Sequence, residues 1–196
     1  MRPPTLQPLP GAVVPAVRMP ASALPVGYRR VVFKWEMNDG EIVARGEGAA
    51  RIAPPDSVRL DFFLGGGMGS GAAVLIGDEL RAPGGPQVAR MIPPAPLLWA
   101  ALGRLALPPA ADTAVRVDGT VVRADIGTPV AWRATFTGDT LRRLERVDRE
   151  HVLEWVERYP GNRVRYESAA TRRSLELTIT RSEPTAPFDA ATWSPP

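Results

Sequence analysis

At 196 residues, 44% of them hydrophobic, the chain suits one domain, or one domain plus a tail, with a sizeable core. It has no cysteine and a single histidine, His151, which excludes disulfides, thiolate chemistry and histidine-based metal clusters. The formal charge is only +3, and Lys34 is the only lysine among scattered arginines, so no nucleic-acid partner is expected; nor does any run reach the roughly 18 apolar residues of a membrane-spanning helix.

Residues 1–26 are rich in proline and alanine and read as an extended tether, with a weakly amphipathic stretch at Ala21 to Leu24. The abrupt Met1-Arg2-Pro3-Pro4 start carries the expectation of a native form that continues from a lipid-modified cysteine. The domain is read as 27–196. Val31, Phe33, Trp35 and Met37 alternate with charged residues as a half-buried strand, and Asn38-Asp39-Gly40 supplies a hairpin turn. The return strand, Glu41 to Ala53, places Ile42, Ala44, Gly46, Gly48, Ala50 and Ile52 on one face. Its small residues allow a sharp bend or close approach of a ligand.

Val58 to Ile76 reads as two apolar strands joined by Gly65-Gly66-Gly67-Met68-Gly69-Ser70-Gly71. Val58, Leu60, Phe62 and Leu64 share one face, and Ala72, Val74 and Ile76 are expected to repeat the pattern. The loop matches no phosphate-binding motif and precedes a strand rather than a helix. Nor is Ser70 in a nucleophile elbow, because Met68 and Ala72 stand where G-x-S-x-G needs glycines. Met68 therefore stands bare at a glycine-rich tip, either exposed or folded back onto the core.

A short strand at Glu79 to Ala82 precedes the one convincing helix, Ala95 to Leu105, with Pro96 in its first turn and Pro108-Pro109 beyond its end. It is apolar nearly all round and so must lie buried, as a plug or lid over a sheet. Strand patterns then recur: Val115 to Val117, Val121 to Ile126, Trp132 to Phe136, Leu141 to Val147, Val152 to Tyr159, Arg163 to Glu167 and Leu175 to Ile179. The fold class is mainly β: about ten antiparallel strands in one curved sheet, an unclosed barrel, with one apolar helix. The proline-punctuated tail from Ser182 ends on Trp193, an expected anchor.

This order of elements resembles the LolA/LolB superfamily of bacterial lipoprotein-localisation factors, over about Tyr28 to Trp193. The resemblance rests on Phe33-x-Trp35, the Leu60 to Leu75 strand pair with its Met68-Gly69-Ser70 loop, Pro96-Leu97-x-Trp99, Leu102-Gly103, and Leu175-x-Leu177. It is nearest to the outer-membrane acceptor LolB, in which a bulky apolar residue precedes Gly-Ser in a protruding loop. The resemblance implies reversible, non-enzymatic binding and transfer of lipoprotein acyl chains at the periplasmic face of the outer membrane. It further implies a monomer without cofactor or metal, with lipid, a membrane surface and a periplasmic carrier as partners. The candidate lining residues are Phe33, Trp35, Leu60, Phe62, Val74, Trp132 and Phe136 from the sheet, and Leu98, Trp99 and Leu102 from the helix. Met68 is the candidate membrane or cargo contact.

Two competing readings come from other classes. One is an envelope interaction or lipid-sensing domain that binds a partner protein through the same apolar face. The other is a barrel enzyme using Glu47, Asp61 or Asp125, although their alternation with arginine reads as cross-strand pairing.

Overall fold

The structure, a computed structural model, describes residues 3–13, 18–67, 69–83, 92–108, 110 and 112–194. Thirteen antiparallel strands form one sheet: β1 (Ala12–Val13), β2 (Arg29–Asn38), β3 (Val43–Ala53), β4 (Ser57–Leu64), β5 (Ser70–Ile76), β6 (Glu79–Arg81), β7 (Thr113–Asp118), β8 (Val121–Ile126), β9 (Trp132–Thr137), β10 (Thr140–Asp148), β11 (His151–Tyr159), β12 (Arg163–Ser168) and β13 (Arg173–Pro184). Their spatial order is β1-β7-β8-β9-β10-β11-β12-β13-β2-β3-β4-β5-β6, so among the described residues β1 and β6 form the edges and the barrel is unclosed. The helix α1 spans Ala95–Ala101 and packs against β10, β11 and β12.

Side-chain alternation divides the sheet into an apolar inner face and a charged outer one. One inner row crosses nine strands: Val115, Ala124, Ala134, Leu144, Val156, Tyr166, Leu175, Met37 and Ala44 are successive cross-strand partners. The row beside it on the outer face runs Arg116, Arg123, Thr135, Arg143, Glu157, Arg165, Glu176, Glu36 and Arg45. Residues from both ends of the sheet, Val115 and Leu75 among them, join α1 in a single core cluster, which requires the sheet to curl around the helix.

The structure departs from the sequence reading in several details. The helix stops four residues earlier than expected, because Gly103 takes φ +94° and closes a Schellman motif. Gly103 N–H donates to the Ala100 carbonyl at 3.0 Å and Arg104 N–H to the Trp99 carbonyl at 2.9 Å. Leu105 to Leu107 continue against the core without helical structure. The last strand runs on to Pro184 through an irregularity between Ile179 and Arg181. Within residues 1–26, β1 pairs with β7, Thr5 bridges His151, and Leu24 of the weakly amphipathic stretch is buried. Within β5, Leu60 pairs with Ala73 and Val58 with Leu75, so Ala73 and Leu75 face inward, and Ala72, Val74 and Ile76 face outward.

The tail folds back across the outer face. Asp189 caps a 3-10 turn at Ala190–Trp193, Trp193 packs edge-on to Phe188 at 6.0 Å, and Arg59 Nη1 donates to the Thr192 carbonyl at 3.2 Å.

Candidate functional site

The inner face holds an apolar cavity between α1 and the sheet. Its sheet wall comes from Val31 and Phe33 of β2, Ala50 of β3, Leu60 and Phe62 of β4, and inward residues of β12 and β13. Pro93, Leu98, Ala101 and Leu102 close it from the helix side. Among the described lining residues Tyr166 alone carries a polar side-chain atom, and its hydroxyl is engaged by Arg173 Nη2 at 2.8 Å. Burial raises the Tyr166 phenol above its ordinary range, with the Glu154 charge acting in the same direction and the Arg173 hydrogen bond opposing. The open volume is about 40 Å³, little more than a water molecule occupies.

Two glycines shape the wall beside β2. A Cβ at Gly48 would lie 2.5 Å from the Phe33 ring, and one at Gly46 would lie 3.0 Å from the Trp35 ring and 1.9 Å from the Phe63 carbonyl. The two rings thus rest on bare β3 backbone, as the small-residue face of that strand permits. Phe62 packs edge-on to both rings, at 5.8 Å from Phe33 and 6.0 Å from Trp35.

The structure brings Phe33, Leu60, Phe62, Leu98 and Leu102 together around this cavity. The other sequence candidates lie elsewhere. Trp35 is 2% exposed and donates Nε1 to the Glu47 carbonyl at 3.0 Å, beside the cavity rather than on its wall. Phe136 is fully buried and Trp132 half-buried on the inner face of β9, away from the lining. Val74 sits opposite Arg59 and Arg81 on the outer face. Trp99 points from α1 to the β5–β6 turn, where Nε1 donates to the Gly77 carbonyl at 2.6 Å and Arg104 stacks over the ring at 4.8 Å. Met68 lies outside the described residues. Beside its loop, Phe63 is 52% exposed.

Sheet residues of the cavity that sequence reasoning left out, Val31, Ala50, Val164, Tyr166, Leu175, Leu177 and Ile179, come mainly from β12 and β13, and Pro93 and Ala101 join them from the helix side. Their alternation was legible; their adjacency to β2 was not, since it depends on the final strand pairing back to the first long one.

The carboxylates weighed for catalysis sit on the outer face. Asp61 is paired with Arg51 and, at 3.0 Å, with Arg59, and Asp125 lies 2.7 Å from Arg133. Glu47 borders a wide cleft of about 470 Å³, where Glu36 and Glu176 alternate with Lys34 and Arg45. Among the described residues, no group of three or more histidine, aspartate or glutamate side chains is placed to hold a metal ion.

An unclosed antiparallel sheet wrapped round one short buried helix matches 87% of this chain to 91% of a LolA superfamily protein from Nitrosomonas europaea, with TM-score 0.54 and 10% identity. The fold is LolA-like. Weaker matches are a domain from Vibrio parahaemolyticus named for outer membrane lipoprotein sorting (TM-score 0.46, 7% identity, 85% of this chain and 89% of that one) and a DUF1329 family protein from Desulfovibrio piger (TM-score 0.43, 10% identity, 86% and 90%). No family model matches the sequence, and no curated protein does.

Proposed function

We propose that this protein binds and hands on lipidated cargo without catalysis, sheltering acyl chains between α1 and the inner face of β12, β13, β2, β3 and β4. The observation that carries this reading is the apolar cavity itself, placed where the unclosed sheet and α1 meet. Each acyl methylene moved out of water contributes roughly 0.8 kcal/mol, so a chain can be held with no covalent step. The resemblance of Tyr28 to Trp193 to the LolA/LolB superfamily supplies the cargo class, lipoprotein acyl chains or lipid. It also supplies the setting: a monomer at the periplasmic face of the outer membrane, receiving cargo from a periplasmic carrier, with Met68 meeting membrane or cargo.

The closed cavity of about 40 Å³ cannot hold an acyl chain. Binding therefore requires α1 to move off the sheet. The helix is only seven residues long, bounded by Pro94 and Gly103, so it can shift as a unit. Incubation with a diacylated lipopeptide, followed by native mass spectrometry and titration, tests the reading; one-to-one lipopeptide complexes are the expected result.

The small cavity also supports a second reading, an interaction or sensing domain that engages a partner protein through the same face. Failure to take up lipopeptide or lipid under any condition, with the fold intact, would favour that reading over the carrier.

A further inference from the structure

We propose that Arg158 holds the anionic head of an acyl-chain ligand at the end of the cavity where α1 stops. This rests on the acyl-carrier reading and narrows it, from uncharged lipoprotein acyl groups to a chain ending in a carboxylate or phosphate.

Arg158 is inward-facing. It lies two residues beyond Val156 of the inner row and opposite Val164, which lines the cavity. A cleft of about 240 Å³ opens there between Ser22 of the amino-terminal segment, Leu102, Gly103, Leu141 and Arg158. Leu102 belongs to both the cleft and the cavity, so the two share a wall. A chain in the cavity that emerges past Leu102 meets the guanidinium.

That guanidinium is half-buried and, among the described residues, has no carboxylate in ion-pair contact. Its one hydrogen bond runs from Nη1 to the Leu141 carbonyl at 3.2 Å. Asp139 opens onto the same cleft but makes no ion pair with it among the described residues. The neighbouring positive charge of Arg142, at the β10 irregularity, increases the local excess. Burial first, and Arg142 second, push the Arg158 guanidinium below its ordinary range, which an arriving anion would reverse. At other inward strand positions Arg146 is paired with Glu154 at 3.6 Å, Arg173 donates to the Tyr166 hydroxyl at 2.8 Å and Arg29 donates to Ser182 at 3.1 Å.

Capping of the helix does not account for Arg158. The Trp99 and Ala100 carbonyls of α1 are taken by the Schellman bonds, and the Gly103 carbonyl accepts from Ser22 Oγ. Arg158 Nη1 lies so close that a Cβ at Gly103 would come within 2.7 Å of it, yet it donates elsewhere. A planar fork of donors is suited to bidentate contact with a carboxylate or phosphate.

The test compares three pyrene-labelled probes, hexadecanoate, hexadecyl phosphate and methyl hexadecanoate, on the full chain and on Arg158→Gln and Arg158→Lys. The wild-type protein should bind at least one of the anions about tenfold more tightly than the ester. A carboxylate-only or phosphate-only preference identifies a fatty-acid or a phospholipid type of head, and either supports the site. Arg158→Gln should weaken the anions to the level of the ester and leave the ester unchanged, while Arg158→Lys restores part of the preference. Equal binding of all three probes by the wild type, or an anion preference that survives Arg158→Gln, overturns the head site and leaves the carrier reading standing. Binding of none overturns both. Should a variant fail to fold by circular dichroism, the wild-type probe comparison still decides.

Discussion

Replacing Trp99 with phenylalanine separates a lid from a static plug. Trp99 reaches away from the cavity, and its Nε1 donates to the Gly77 carbonyl at 2.6 Å. It thereby ties α1 to the turn after β5, while Arg104 lies over the ring at 4.8 Å. Phenylalanine keeps most of the ring but strands the Gly77 carbonyl, an omission worth about 1–3 kcal/mol when the group stays out of water. For a chain of this length each kcal/mol lowers the melting temperature by about 2–4 °C, so a fall of about 2–12 °C is expected. If the helix must leave the sheet to admit an acyl chain, the same bond opposes binding. Its loss should raise acyl-chain affinity by about 5- to 100-fold, since each 1.4 kcal/mol is a factor of ten. Thermal unfolding by circular dichroism and titration with a fluorescent acyl probe read the two effects on one sample. A lower melting temperature with unchanged or weaker probe binding would mean that the tie is not broken on binding, and the lid mechanism would fail.

Three further outcomes follow from the same geometry. Ala50, 1% exposed on the cavity wall, becomes a plug as Ala50→Leu: the added carbons exceed the open space, costing about 1–3 kcal/mol of stability and abolishing acyl-probe binding, and undiminished binding would place the ligand elsewhere. The raised phenol of Tyr166 contributes stability that is complete below the ordinary tyrosine value near 10 and is lost as pH climbs through its folded value; alkaline melting should therefore fall less steeply in Tyr166→Phe, and identical pH slopes would contradict this. Met68→Glu, argued from the sequence alone, should leave the melting temperature within about 2 °C, as surface changes do, and weaken partition onto liposomes; a large fall in melting temperature with unchanged partition would make Met68 a core residue.

Where polar and apolar residues alternate strictly, the strands and their faces were legible. Phe33 to Met37 and Trp132 to Phe136 are examples, and the inner row of the sheet passes through both. Ala72-Ala73-Val74-Leu75-Ile76 has no such alternation, so which of its residues face inward depends on the loop before it. The Phe63–Ser70 pairing sets every even-numbered residue of β4 opposite an odd-numbered one of β5, which sends Val74 to the outer face. Periodicity overran the end of α1 because Leu105 and Leu107 remain apolar, and a positive φ at Gly103 outweighs that pattern. Arg158 was hidden for a related reason. In Val152-Leu153-Glu154-Trp155-Val156-Glu157-Arg158 both faces carry apolar and charged side chains, so no phase marks the arginine as inward.

The glycines of β3 connect this fold to its site. A methyl group at Gly48 would come within 2.5 Å of the Phe33 Cε2 and Cζ atoms and 2.9 Å of the Asp61 carbonyl oxygen. The ring is held on one side by Phe62, and the cavity beneath α1 is the open space beside it. Gly48→Ala should therefore drive the Phe33 ring into the cavity, lowering stability by about 1–3 kcal/mol as overpacking does. Acyl-probe binding should be lost at the same time. Shortening the ring to Phe33→Leu in the same chain should relieve the ring part of that penalty, leaving only the strain against the Asp61 carbonyl. The double-mutant cycle isolates the difference, expected at about 0.5–3 kcal/mol for groups in contact. Additive effects of Gly48→Ala and Phe33→Leu on stability would mean that the ring does not depend on the bare backbone. The cavity would then owe its position to the helix alone.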